Sequence, residues 1–300
     1  MARAEANGIS IEYDSLGDED AETILLVAGL GMQMIRWSAE FRETLAAQGF
    51  RVVRFDNRDV GLTTHFNDVP VPELNAVAAA VALGQRPDVP YTLYDMADDA
   101  AGLLDVLGIE RAHIVGASMG GMIAQLVASE HPHRTASLTS IMSNTGNPSL
   151  PPATPEAMAV LLQRPPSPFE DEEGFLAHSL ASARVIGSPG YPLDEAEQRA
   201  QSLAAAKRAY NPAGFGRQIA AVTATGDRRP RLNTITAPTL VVHGAADPLV
   251  PLAGGEDTAA NIEGAELKVI EGMGHDLPPQ LYETLATAIA ANARRARPSA

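Results

Sequence analysis

The chain places a serine among glycines in a pattern that suits a nucleophile. Residues 112–121 read AHIVGASMGG, a short apolar run that leads through GASMG into a helical stretch. A serine on so tight a turn needs glycines two residues away on both sides, because Cβ atoms there would collide. The turn exposes the Ser118 hydroxyl and puts the Met119 N–H at a helix start, facing any oxyanion formed there. The pattern predicts a nucleophilic serine, and an ordinary tight turn with a capping serine is the alternative.

A serine nucleophile needs a base, and the chain has seven histidines. We assign the base to His275, which lies in EGMGH between the last apolar run and the last helical stretch. Open α/β sheets build their sites in loops at the carboxyl ends of strands. His243 also ends a predicted strand and is the main rival. A histidine in a surface loop is the alternative for His275.

Asp247 is the predicted partner of this histidine. It follows the predicted strand 239–242 within HGAADP. A carboxylate there would accept the Nδ1–H of His275 and stabilise the imidazolium. Asp257 and Asp276 are the rival carboxylates, and a turn-forming aspartate before proline is the alternative for Asp247.

A second oxyanion donor is predicted in VAGLGM, directly after the apolar run TILLV. We assign the Leu30 N–H, because glycines on both sides let the backbone approach a ligand. A flexible glycine turn is the alternative. Gly29, Gly31, Met32 and Trp37 are predicted to bind substrate, and core packing remains open for Met32 and Trp37.

Short apolar runs alternate with helical stretches along most of the chain. The predicted strands are 9–13, 23–27, 51–55, 112–115, 137–142, 239–242 and 267–270, and the predicted helices are 37–48, 95–107, 119–130 and 279–295. Asp95 is the predicted N-cap of the second helix. The alternation predicts an α/β fold with a mostly parallel sheet and helices on both faces.

One segment departs from this alternation. Residues 148–231 contain no convincing strand; they open proline-rich and continue with helical stretches at 171–186, 194–210 and 215–225. We predict a core of residues 1–147 and 232–300, interrupted by a helical cap at 148–231. A separate C-terminal domain is the alternative, which the strand-like sequence after the segment disfavours.

Composition narrows the class of function. The 300 residues carry a formal net charge of −15, are 45% hydrophobic and include no cysteine. The missing cysteines exclude thiolate nucleophiles and disulfides. Strong acidity disfavours nucleic acid and anionic membranes as partners. With no apolar run of ~18 residues and no secretory h-region, we expect a cytoplasmic monomer or homodimer. We expect neither a metal nor an organic cofactor, and a small molecule as the partner.

Together these motifs resemble the α/β-hydrolase family. Three stretches, VVRFDNRDVGLTT, GASMGGMIAQ and EGMGHDLP, are similar to segments of the aclacinomycin methylesterases within that family. The resemblance covers almost the whole chain. It implies a serine hydrolase that cleaves carboxylic esters of small or medium substrates through an acyl-enzyme on Ser118. It also implies that the D-x-R-x-x-G stretch at 56–61 packs the loops.

Two alternatives stay open. Carbon–carbon bond hydrolases of this fold carry a similar S-M-G-G stretch, so a C–C bond hydrolase or a lactonase is one of them. A receptor of the same fold that turns its small molecule over slowly is the other.

Overall fold

A computed structural model describes residues 1–296 of the chain. Within that range eight strands form one sheet: β1 (Ala2–Ala6), β2 (Ile9–Leu16), β3 (Thr23–Val27), β4 (Arg51–Phe55), β5 (Ala112–Ala117), β6 (Thr135–Ile141), β7 (Thr239–Gly244) and β8 (Glu266–Ile270). Their order in the sheet is β1-β2-β4-β3-β5-β6-β7-β8. The pairs β1–β2 and β2–β4 are antiparallel, and the remaining pairs are parallel. The predicted α/β class is confirmed.

Eleven α-helices accompany the sheet in the same range: α1 (Ala39–Ala47), α2 (Leu74–Ala82), α3 (Leu93–Val106), α4 (Met119–Glu130), α5 (Pro155–Leu162), α6 (Glu172–Ile186), α7 (Glu195–Arg208), α8 (Pro212–Thr225), α9 (Arg229–Leu232), α10 (Ala253–Ala260) and α11 (Tyr282–Arg294). Strand β1 and helices α2, α5, α9 and α10 were not predicted. The sequence of β1, ARAEA, has little strand propensity of its own, and its register with β2 holds it extended.

The sheet separates two apolar cores. In β3 every side chain is buried, but neighbours face opposite sides, as the two-residue period of a strand requires. Leu25 and Val27 join the core formed with α3 and α4, whereas Ile24 and Leu26 join the core formed with α1 and α11. Burial on both faces explains why β3 reads as a nearly continuous apolar run.

Helix α3 begins earlier than predicted. Its N-cap is Thr92, and Asp95 is the third residue of the helix, where its carboxylate accepts from the Thr92 N–H at 2.7 Å. This is a capping box, in which the acidic residue satisfies the cap's backbone. The predicted cap at Asp95 was therefore wrong, because the acidic partner of the cap was taken for the cap.

Helices α5 to α8 all lie between β6 and β7, in the segment predicted as a cap. The chain enters and leaves this segment side by side: a Cβ on Gly146 would lie 2.1 Å from the Gly226 carbonyl oxygen. The buried Arg228 guanidinium joins both sides, donating to the carbonyls of Asn144 at 2.7 Å and Gly226 at 3.0 Å. Burial lowers the pKa of Arg228 to about 10. Helix α9 runs across the predicted boundary at 231/232.

Two further observations concern membrane-spanning helices and the end of the predicted core. Across residues 1–296, no helix has both the length and the apolar character needed to cross a membrane. The last four residues of the predicted core, 297–300, lie outside the described residues.

Candidate active site

Ser118 sits at the sharp turn between β5 and α4. Its backbone has φ +56° and ψ −122°, a region that a residue with a side chain occupies only at a cost of about 1–3 kcal/mol. Glycines make the turn possible: a Cβ on Gly116 would lie 2.0 Å from the Gly120 carbonyl oxygen, and one on Gly120 would lie 2.1 Å from that of Val27. The surrounding packing therefore determines the strained geometry.

The structure brings Ser118, His275 and Asp247 into one hydrogen-bonded line. His275 Nε2 lies 3.0 Å from Ser118 Oγ, and His275 Nδ1 lies 2.7 Å from Asp247 Oδ2. The other carboxylate oxygen of Asp247 accepts from the N–H groups of Leu249 at 2.9 Å and Val250 at 2.8 Å. The acid is thus fixed from its far side, and an ionised Asp247 makes Nδ1 the protonated nitrogen and leaves Nε2 to accept.

The rival histidine, His243, lies next to Asp247. His243 is fully buried, and its Nε2 donates to the Val250 carbonyl at 2.7 Å and lies 3.7 Å from Asp247 Oδ2. Burial lowers the pKa of His243, because the imidazolium would lose its hydration. A neutral His243 therefore packs against Asp247, near the carboxylate oxygen that binds His275.

The rival carboxylates have other partners. Asp257 accepts from the Thr145 hydroxyl and from Asn147. Asp276 accepts from the Ser188 hydroxyl, and burial raises the pKa of the Asp276 carboxyl despite that bond.

The loop after β3 lies against the serine turn. A Cβ on Gly29 would lie 3.3 Å from the Ala117 carbonyl oxygen and 3.4 Å from Ser118 Cβ, so the loop is in close contact with the turn. Within residues 1–296 neither the Leu30 N–H nor the Met119 N–H has an acceptor in the chain. Both N–H groups are therefore unpaired among the described residues, as donors to an oxyanion would have to be.

The other predicted substrate residues differ in position. Gly31 has φ +66°, and a Cβ there would lie 2.8 Å from the ring of Phe215 in α8. Met32 is 42% exposed. Trp37 is 3% exposed and stacks on Phe41 with ring centroids 5.7 Å apart. Its position favours core packing, the alternative that the sequence leaves open.

For residues 56–61 the sequence predicted only loop packing and did not show which backbone groups these residues bind. The Asn57 amide donates to the Ala28 carbonyl at 2.9 Å, and Asp56 accepts from the Met34 N–H at 2.7 Å. Both side chains are buried. Together they fix the two ends of the loop that carries Leu30. The dense polar run DNRD was the available signal, since buried polar groups must find partners.

Two buried ion pairs join the same stretch to the helices between β6 and β7. Arg208 lies 2.7 Å from Asp56, and Arg217 binds Asp59 through two hydrogen bonds of 2.8 Å. Burial alone would raise the pKa of Asp59, but hydrogen bonds from Arg217 and Tyr91 lower it. Removing either arginine would leave a buried carboxylate without its cationic partner.

No group of three or more histidine, aspartate or glutamate side chains in residues 1–296 is arranged to hold a metal ion. The chemistry available at Ser118 is that of the serine, the imidazole, the carboxylate and the two N–H groups. Such a set can activate a hydroxyl, stabilise an oxyanion and protonate a leaving group.

The fold and this arrangement define the class of protein. Residues 22–279 match the α/β-hydrolase fold family, and the chain belongs to that family, as its sequence predicts. It is 31% identical to a rhodomycin D methylesterase of a Streptomyces species, over 96% of each chain. It is 30% identical to a 2-hydroxy-6-oxononadienedioate/2-hydroxy-6-oxononatrienedioate hydrolase of Paraburkholderia xenovorans, over 89% of this chain and 84% of that one. Among solved structures, a meta-cleavage product hydrolase of Pseudomonas fluorescens superposes with a TM-score of 0.75 at 19% identity, over 99% of this chain and 98% of that one, which is a likeness of fold.

Proposed function

We propose that the protein is a serine esterase that hydrolyses carboxylic esters of small or medium substrates through an acyl-enzyme on Ser118. One observation carries the proposal: the unbroken line from Ser118 Oγ through His275 to Asp247, with hydrogen bonds of 3.0 and 2.7 Å. A merely structural turn has no need of a half-buried hydroxyl, a strained φ and an oriented imidazole at one point.

The acylation step follows from these positions. Ser118 Oγ attacks the ester carbonyl carbon while His275 Nε2 takes the hydroxyl proton. Asp247 holds the imidazole in the tautomer that can accept this proton, and its charge stabilises the imidazolium. His275 then gives the proton to the leaving alkoxide, the C–O bond breaks, and an alcohol departs.

Deacylation repeats the sequence with water. His275 takes a proton from water, the hydroxide attacks the acyl carbonyl, and Ser118 leaves with the proton returned by His275. In both steps the carbonyl oxygen becomes an oxyanion between the Leu30 and Met119 N–H groups. Removing one such donor typically lowers the rate by roughly 10²–10³-fold.

The nature of the ester is the finer part of the proposal. Relatives about 30% identical over the whole chain are named as methylesterases. We therefore propose methyl and other short-alcohol esters as substrates, cleaved by a cytoplasmic protein that needs no membrane or nucleic acid partner.

The test is a panel of p-nitrophenyl and methyl esters of increasing acyl length, together with a fluorophosphonate that labels active serines. We expect turnover of several esters, single labelling at Ser118, and loss of both in Ser118→Ala. Ser129→Ala, at the other end of α4, is the matched control and should retain activity. A wild type that cleaves no ester in the panel overturns the proposal. Thermal stabilisation by an ester without any labelling would instead favour the slow receptor.

Hydrolysis of a carbon–carbon bond is the second candidate, because relatives that are 30–32% identical carry the name of a dienedioate hydrolase. A 2-hydroxy-6-oxo-dienedioate belongs in the same panel for this reason. A kcat/KM for that substrate above the value for every ester would favour this second candidate.

A further inference from the structure

The N–H of Leu30 can stabilise an oxyanion only if the loop around it holds still, and the loop contains two glycines. Asn57 and Asp56 hold the loop's ends at Ala28 and Met34. Between those ends a turn closes with the Met32 N–H on the Gly29 carbonyl at 3.1 Å. This leaves the Gly31 N–H, one residue after the predicted oxyanion donor, to be bound by something outside the loop.

The group that binds it is the side chain of Gln218 in α8. Gln218 Oε1 accepts from the Gly31 N–H at 2.8 Å, and Gln218 Nε2 donates to the Arg58 carbonyl at 2.8 Å. The side chain is fully buried. Since an N–H only donates and a carbonyl only accepts, the orientation of the amide is fixed by its two partners. An apolar side chain of similar size would leave both the Gly31 N–H and the Arg58 carbonyl without these partners.

The surroundings keep Gln218 in place. One turn before it, Phe215 packs where a side chain on Gly31 would sit. The residue directly before it, Arg217, binds the buried Asp59, and Asp59 belongs to the same stretch as Arg58. Helix α8 is thereby attached to the core through two residues in the turn before the glutamine, so the amide meets the loop from a fixed support.

From this arrangement we propose that Gln218 is a positioning residue for the oxyanion-binding loop. It reaches across from the helices between β6 and β7 and sets the direction of the Leu30 N–H through its neighbour Gly31. The proposal rests on the proposed function, because it concerns stabilisation of the oxyanion formed at Ser118. Through Gln218, the segment between β6 and β7 would contribute to catalysis.

The test compares two variants. Gln218→Met keeps the approximate shape of the side chain but makes neither hydrogen bond. Gln218→Glu keeps an acceptor for the Gly31 N–H but places a second oxygen, in place of a donor, against the Arg58 carbonyl oxygen. Thr223→Val is the matched control: it lies on the same helix and loses only a hydrogen bond to Ile219 within it. We expect kcat to fall about 10–100-fold in Gln218→Met with KM changed less than about 3-fold, as for a misplaced catalytic group. Affinity for a trifluoromethyl ketone, which forms an oxyanion on the serine, should fall in parallel. The kcat of Gln218→Glu should be equal to or lower than that of Gln218→Met.

The outcomes separate this inference from the proposed function. Wild-type ester turnover with an unchanged kcat in folded Gln218→Met overturns the positioning role and leaves the esterase proposal standing. An equal loss in Thr223→Val would also overturn it, since the effect would then belong to the helix. If the wild type cleaves no ester, the esterase proposal fails, and the rate of fluorophosphonate labelling decides the inference, because the phosphoryl oxygen gains charge at the same N–H groups. A wild type that is not labelled overturns both.

Discussion

The hydroxyl of Ser188 accepts a hydrogen bond of 2.9 Å from the backbone N–H of Gly274, the residue before His275. The same hydroxyl donates to Asp276, the residue after it. The His275 N–H itself donates to the Ile186 carbonyl at 2.7 Å, at the end of α6. The histidine loop is therefore held from the segment between β6 and β7, much as Gln218 holds the loop of Leu30.

Replacing Ser188 should disturb the histidine more than the fold. In Ser188→Ala the Gly274 N–H and the Asp276 carboxyl both lose a partner, so we expect kcat to fall about 10-fold and the free energy of unfolding to fall by about 1 kcal/mol. Steady-state kinetics and urea unfolding measure the two effects. Ser188→Thr keeps the hydroxyl and should recover most of kcat, while Ser179→Ala on α6 is the control. A Ser188→Thr variant as slow as Ser188→Ala would contradict a role for the hydroxyl.

Asp247→Asn tests the acid. The amide can keep one oxygen on the Leu249 and Val250 N–H groups, but its NH₂ would then face His275 and reverse the tautomer. We expect kcat to fall by roughly 10⁴-fold with little change in folding, the size of effect seen when a triad aspartate is replaced. Asp257→Asn, the rival that contacts Thr145, should keep nearly full activity. Comparable losses in both variants would show that Asp247 has no special role.

Gly120→Ala tests the steric argument for the serine turn. The added Cβ would lie 2.1 Å from the Val27 carbonyl oxygen, which is backbone and cannot move aside. We expect the free energy of unfolding to fall by about 3 kcal/mol or more, at the upper end of overpacking costs. Gly264→Ala has φ +71° but open space around its Cβ, so it should cost only about 1–2 kcal/mol. Urea unfolding of both variants checks this, and similar losses would mean that collision at Gly120 is not the cause.

Buried His243 should make folding sensitive to mild acid. Its pKa is lowered by burial from the ordinary 6.5, so below about that pH the unfolded chain binds a proton that the folded chain does not. The free energy of unfolding should therefore fall as the pH drops below 6.5, by up to about 1.4 kcal/mol per pH unit for one such group. His113, also buried with a lowered pKa, adds an effect of the same sign.

His243→Gln isolates this contribution. The glutamine amide can still donate to the Val250 carbonyl but does not titrate. We expect the difference in unfolding free energy between pH 7 and pH 5, measured by urea titration, to be smaller in the variant than in the wild type. An identical pH dependence in the two proteins would assign the acid sensitivity to other groups.

The sequence predicted the class of fold because its strongest signals are local. The apolar residues of the strands from β3 to β7 and the glycine pattern around Ser118 reflect burial and backbone sterics that neighbouring residues impose. Elements with weak local signals were missed. β1 contains three alanines in five residues and exists through its pairing with β2. α10 carries two adjacent glycines, one of which packs against His243.

The sequence by itself determined which groups are available for catalysis. They are a serine that must occupy a strained turn, and histidines and aspartates that follow strands whose carboxyl ends share one edge of the sheet. Tertiary structure decided among them, placing His275 beside Ser118 and His243 against Asp247. It also decided the contacts that no local pattern encodes, such as Gln218 with Gly31 across 187 residues and Ser188 with Gly274 across 86. The reason is physical: a side-chain amide or hydroxyl satisfies any backbone group that folding brings within reach, and only the packed chain determines which group that is.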